Sequence, residues 1–331
     1  MSVGSGLAGS LGIAAEASYG TYQAPTRFIE INSASLKKNK NVVQGGGLAA
    51  GRLVQPVSRR VVTQQDASGD VELEVTQKNM GLLLAQIFGG AVTPLVQGAT
   101  AAYLQTHTLV DNVGRYLTAQ VGVPDTTGTV RPYTYLGCKV VDTTLACGVG
   151  ELLTAQLSLD ARQVSEVQTL AAPSYTTGLK PFHFAQMNVK IGAFGAEAAV
   201  SGVRKVTTKI TRAQKTDRFY ANSGGLKAEP LVNDRVSITG TIETDFVDKT
   251  VFADVFAADG NFSLIWEFVG ANIASTYYET FRIKIPAVAL DGDTPQLGGP
   301  DVVSPSFNFT GLNDLTNNPI TCEYISTDTA L

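Results

Sequence analysis

A chain of 331 residues is long enough for two domains of ordinary size, each able to bury a core without covalent staples. Only 16% of its residues are charged, below the roughly 25% of typical soluble chains, and the net charge is −4. No global basic field exists to hold nucleic acid tightly, which excludes a packaging or repressor role.

Thirty-three glycines fit strands joined by turns. The low charge fits a surface covered by another molecule, because interface cores exclude charge. A plain β-rich monomer fits these figures equally well. The segment Met1 to Ala15 is apolar and Gly-rich, lacks a basic leader and is interrupted by Glu16, so it does not read as a signal peptide. No run reaches the roughly 18 apolar residues of a membrane span. Gln44 to Gln65 is a long Gly- and Gln-rich excursion carrying Arg52, Arg59 and Arg60. Asp70-Val71-Glu72-Leu73-Glu74-Val75 then alternates with the period of a half-buried strand. Lys78 to Phe88, closed by Gly89-Gly90, predicts a short helix with a glycine stop. Glu151 to Leu159 is a further strand, and Ala171 to Gly178 is a linker by composition.

Beyond the linker, Phe182-His183-Phe184 and Met187 to Ile191 open a second series of strands. Arg235 to Phe246, Phe281 to Ile285 and Ser306 to Phe309 continue it. Asp248 to Phe256 predicts a second helix, with Asp248 as its N-cap and Val251, Phe252, Val255 and Phe256 on one face. The two series are collinear. Gly69-Asp70-Val71-Glu72 matches Gly240-Thr241-Ile242-Glu243, an offset of 171 residues (69 to 240). Glu151 through Leu159 matches Asp301 through Phe309, an offset of 150 (151 to 301), and Gly46-Gly47-Leu48 matches Gly224-Gly225-Leu226. The chain therefore reads as mainly β, duplicated once, with one short helix in each copy.

Gly12 to Thr21, then Pro25-Thr26-Arg27-Phe28, resembles the opening of tail tube proteins of long, non-contractile bacteriophage tails. In that family a Glu, a Tyr-Gly-Thr and a Thr-Arg-Phe lead into the first strand; here these are Glu16, Tyr19-Gly20-Thr21 and Thr26-Arg27-Phe28. Ser35-Leu36-Lys37, Gly51-Arg52, Arg59-Arg60, Ala67 to Leu73 and the helix at Gly81 to Leu84 with Gly89-Gly90 fit in the same order. The resemblance implies two tandem β-sandwich or barrel tube units, each with its helix packed on the sheet. The first is 1–170, with an N-terminal arm and the Arg/Gly-rich loop, and the second is 171–331.

It further implies a non-enzymatic virion subunit, assembled in the host cytoplasm, that polymerises into stacked rings. DNA would pass through their lumen without specific binding, alongside tape-measure and other tail proteins, with no membrane partner and no cofactor. Two units per chain favour a trimeric, pseudo-hexameric ring; a hexamer with one unit decorating the outside is the competing arrangement. Arg52, Arg59 and Arg60 are expected in a ring-stacking loop that pairs with acids of the neighbouring ring. A capsid or decoration protein, and a β-sandwich binding module or adhesin, are the alternative readings.

Little else in the sequence carries chemistry. His107 and His183 have no metal-ligand spacing, and Cys138, Cys147 and Cys322 form no CxxC pair and are expected to be reduced and buried. Gly4 to Gly9 spells GxGxxG without a preceding strand. Asp291-Gly292-Asp293 reads as a hairpin turn rather than a calcium loop, and Trp266 as a core or interface residue.

Overall fold

The alternation of the Arg60–Glu74 strand is realised as its pattern demands. Val71 and Leu73 are fully buried, whereas Glu72 faces solvent. In the computed structural model, which describes residues 4–250, 252, 256, 260–291, 295–297 and 299–331, the protein is mainly β. Nineteen strands join through their pairings into one network, so the two halves do not have separate sheets. A single contiguous core runs through both, from Leu11 and Val71 to Trp266, Phe307 and Tyr324.

Among the described residues two ladders between strands stitch the halves, besides isolated bridges at Gln65–Leu226, Thr76–Pro181 and Leu152–His183. Val203–Thr211 pairs antiparallel with the long Val130–Gly148 strand, Val206 opposite Cys147. The C-terminal strand Thr321–Ser326 returns to pair with Tyr103–Thr108, Cys322 opposite His107. The last residues then dock on the first half: Arg27 donates to the backbone oxygen of Leu331 at 3.0 Å, and Asp328 accepts from the Asn79 amide at 2.6 Å.

The registers repeat. Gly69 lies opposite Leu159 and Val71 opposite Leu157; Gly240 lies opposite Phe309 and Ile242 opposite Phe307. Leu159 pairs with Val140 as Phe309 pairs with Leu290. Gln120 pairs with Thr134 as Ile265 pairs with Lys284, and Leu11 with Val121 as Val189 with Trp266. The glycines have the same reason in both places. A Cβ on Gly69 would meet the Ser35 carbonyl oxygen, and one on Gly240 the Thr207 carbonyl oxygen. The match of Gly46-Gly47-Leu48 with Gly224-Gly225-Leu226 is not repeated in the pairings. The first run lies in an exposed loop, whereas Gly225 folds back so that its carbonyl accepts from the Gln65 amide at 3.0 Å.

The helix spans Gly81–Phe88, three residues shorter at its start than the sequence predicts, because Asn79 sits in the left-handed region with φ 71°. Gly89 closes it at φ 85°, its amide bonded to Ala85. Of the predicted second helix, Val251 and 253–255 lie outside the described residues. Asp248 accepts from the Thr250 amide at 2.9 Å as an N-cap would, and the Phe256 amide donates to the Phe252 carbonyl. Phe252 is buried, its ring 5.7 Å from Phe307. The turn predicted at Asp291-Gly292-Asp293 also lies mostly outside the described residues; Asp291 itself ends the Tyr277–Asp291 strand. His183 is not a strand residue as expected but precedes a short 3-10 turn, Phe184–Gln186, making only an isolated bridge to Leu152.

Candidate assembly interface

Lys37–Gln44 and Arg60–Glu74 form a hairpin that outruns the sheet supporting it. The neighbouring Thr154–Ala161 strand stops opposite Ala67, and past it the Gly225–Lys227 segment lies against Thr63, Gln65 and Asp66, so residues 60–62 and their partners in 42–44 continue alone. Three residues at about 3.3 Å each project roughly 10 Å, before the 45–59 tip is added. Valines hold the arms together, with Val42 opposite Val62 and Val43 opposite Val61, yet Val43, Val61 and Val62 are each about half exposed.

The tip carries apolar residues that no part of this chain covers. Leu48, Leu53, Val54 and Val57 are 84–102% exposed. Contiguous exposed apolar groups of this kind mark an interaction surface. Arg52, Arg59 and Arg60 stand in the same stretch, all exposed, and none meets an acid among the described residues. The structure thus groups the three predicted arginines on one projecting element. Sequence reasoning missed the four apolar residues, whose only signal is that Leu and Val interrupt a loop composition without a period.

The root of the hairpin is clamped by charges buried under an excursion of the second half. Lys227, its side chain fully buried, donates to Asp160 at 2.5 Å and to Asp66 at 3.4 Å. Lys139, equally buried, donates to Glu229 at 2.7 Å and to the Pro230 carbonyl. Burial pushes the Asp160 carboxyl up to about 6 despite Lys227, and depresses the Lys139 ammonium despite Glu229. No spacing in the sequence announces either pair.

The residues that carry the family resemblance hold the N-terminal strand in place. The Glu16 carboxylate accepts from the amides of Gly20 and Gly137 and from the Thr118 hydroxyl, at 2.8–2.9 Å. Arg162 lies over the Tyr19 ring and donates to the Tyr19 carbonyl.

His107 is buried against Phe88 and held neutral, its imidazole pushed down to about 4 by desolvation. The three cysteines are free and buried. Among the described residues no group of three or more His, Cys, Asp or Glu is placed to hold a metal ion, and no helix is long and apolar enough to cross a membrane. A cavity of about 210 Å³ between Ile29–Asn32 and Asn79–Met80 is lined by Glu30, Glu74 and Thr76, whose hydroxyl donates to the Lys78 carbonyl at 2.8 Å. Against known proteins, a family model described as phage tail tube protein matches residues 6–311. No curated protein matches the chain.

Proposed function

The chain belongs to the phage tail tube protein family and is a structural subunit of the virion tail; on that premise we propose that three copies close into a ring of six β units and that rings stack into the tube. The reading is of a non-enzymatic wall that DNA traverses, with tape-measure protein inside during assembly in the host cytoplasm. The low charge and net −4 support it, since such a wall gives the phosphate backbone little to adhere to.

Support for two units per chain, divided near residue 170, comes from the repeated registers and the paired glycines. Support for the trimer comes from one unpaired edge. Val203–Thr211 is paired on both sides, with Ser237–Thr244 and with Val130–Gly148. The corresponding Ser33–Ala34 and Lys37–Gln44 strands pair on one side only, with Arg60–Glu74. An open edge is a ready template for a further strand. In the ring it takes the neighbouring copy's second-half sheet, as Val203–Thr211 takes the first half within one chain. Repeating a head-to-tail join closes a ring when the rotation permits.

The projecting hairpin carries the stacking reading. Its exposed Leu48, Leu53, Val54 and Val57, with Arg52, Arg59 and Arg60, supply the axial contact that does not close and so yields a filament.

Negative-stain microscopy of the purified protein, at raised concentration or salt, tests the proposal. Hollow tubes or stacked rings with three chains per ring are expected. Six chains per ring would overturn the trimer in favour of an outer decorating unit, and monomers or icosahedral shells would overturn the tube.

A further inference from the structure

The pairing registers place the ends of these paired strands at one of two ends of the sheet. Arg60 and the hairpin tip lie at one end, together with Ala161, Thr211, Ser237 and Leu312. At the other end Glu74 stands opposite Thr154, Thr154 opposite Ala146, Lys205 opposite both Gly148 and Glu243, and Glu243 opposite Ser306. With the strands running along the stacking axis, copies stacked head to tail bring the hairpin tip of one against the loops at this second end of the next.

An apolar patch is exposed there. Phe246, Val247 and Val302 are 43–69% exposed. They form one surface because the Phe246 amide donates to the Val303 carbonyl at 2.8 Å and the Thr244 amide to the Pro305 carbonyl at 3.1 Å. Phe246 and Val247 line a small depression together with Phe252, Pro305 and Phe307. Acids surround it: Asp245, which pairs with Arg204 at 3.3 Å, then Asp248 and Asp301, which meet no cation among the described residues. Arg204 and Lys249 are the nearby exposed cations. The hairpin is the complement, since no acid occurs from Lys37 to Gln65 while Lys37, Lys38, Lys40, Arg52, Arg59 and Arg60 all do.

We infer that the hairpin tip of one copy docks on the Phe246–Val247–Val302 patch of a copy in the adjacent ring, with its arginines against Asp248 and Asp301. This rests on the hairpin's being the stacking element. Desolvated apolar anchors ringed by charge are the usual composition of an interface core and rim. The corresponding site in the first half is poorer, offering Val149 and Leu152 beside Glu151 and Glu74. With one hairpin and one such patch per chain, every ring presents as many tips as receptors.

Cysteine cross-linking in assembled particles decides it, because the three native cysteines are buried and free. Val54→Cys combined with Val302→Cys should give, on oxidation, a ladder of covalent multimers on a non-reducing gel, absent from either single variant. A ladder only when Val54→Cys is combined with Leu152→Cys would overturn the assignment and move the receptor to the first half, leaving the stacking hairpin intact. A charge swap guards against variants that do not assemble. Arg59→Glu with Arg60→Glu should lose tubes, and adding Asp248→Lys with Asp301→Lys should restore them; failure of rescue counts against the patch. Tubes formed by a Leu53→Asp, Val54→Asp variant would instead sink the underlying reading of the hairpin.

Discussion

Lys227 Nζ lies 2.5 Å from Oδ1 of Asp160, and the lysine side chain is fully buried. The pair joins an excursion of the second half to the strand beside the hairpin root, so a residue far from the tip sets how the tip is held. Removing one partner leaves an uncompensated buried charge. Lys227→Met should cost about 3–5 kcal/mol in denaturant unfolding, and Lys227→Met with Asp160→Leu should recover most of the loss. Equal instability of single and double variants would show that the pair is not coupled.

The same carboxyl gives a pH dependence with a definite sign. Burial raises Asp160 from an ordinary 3.8 to about 6, outweighing the attraction of Lys227. An acid whose folded pKa is raised binds its proton more tightly in the folded state. Its contribution to stability is therefore fully present below the unfolded value and is lost as pH rises through about 6. Urea titrations of the wild type and Asp160→Asn across this interval should differ by that slope, and parallel curves would refute it.

Arg212 closes the first helix from outside the first half. Its guanidinium donates to the Ile87 carbonyl at 3.0 and 2.8 Å and to the Val110 carbonyl at 2.9 Å, and desolvation pushes its pKa down to about 10. Arg212→Met leaves two buried acceptors without donors, so roughly 3 kcal/mol of stability should be lost. Hydrogen exchange should show the loss concentrated in the last turn of Gly81–Phe88.

Gly240 has no room for a side chain, because a Cβ would overlap the Thr207 carbonyl and the Phe309 ring. Gly240→Ala should destabilise by about 1–3 kcal/mol or more as the strands part. Thermal unfolding of this variant beside Gly270→Ala, whose Cβ would sit at 3.2 Å from the Glu279 side chain, gives the comparison.

Arg59→Glu with Arg60→Glu changes two exposed side chains that make no ion pair among the described residues. Unfolding free energy should move by less than about 0.5 kcal/mol, while tube formation is lost. Sedimentation of the folded variant separates the two effects, and normal tubes would reject a role in stacking.

The sequence was informative wherever a local rule operates. Alternation exposed the strand at Val71 to Glu74, Gly89 fixed the helix end, and Gly69 and Gly240 marked equivalent points because each faces a neighbouring carbonyl. The Gly46 and Gly224 match misled, since glycine in an open loop answers to no packing constraint. Lys227, Lys139 and Arg212 were illegible. Each is a cation that is buried only because a segment distant in sequence supplies its acceptors: strands for Lys227, the Glu229–Pro230 excursion for Lys139, and the helix end with Val110 for Arg212.

The projecting excursion shows the division most clearly. Its composition alone determined that Gln44 to Gln65 is polar, Gly-rich and basic through Arg52, Arg59 and Arg60. Only the tertiary structure decided that it is the tip of a hairpin outrunning its sheet, that Leu48, Leu53, Val54 and Val57 are bare, and that the Phe246 patch lies at the opposite end. Composition is a property of neighbours along the chain, whereas exposure and polarity of ends are set by which strands pair and where the pairing stops.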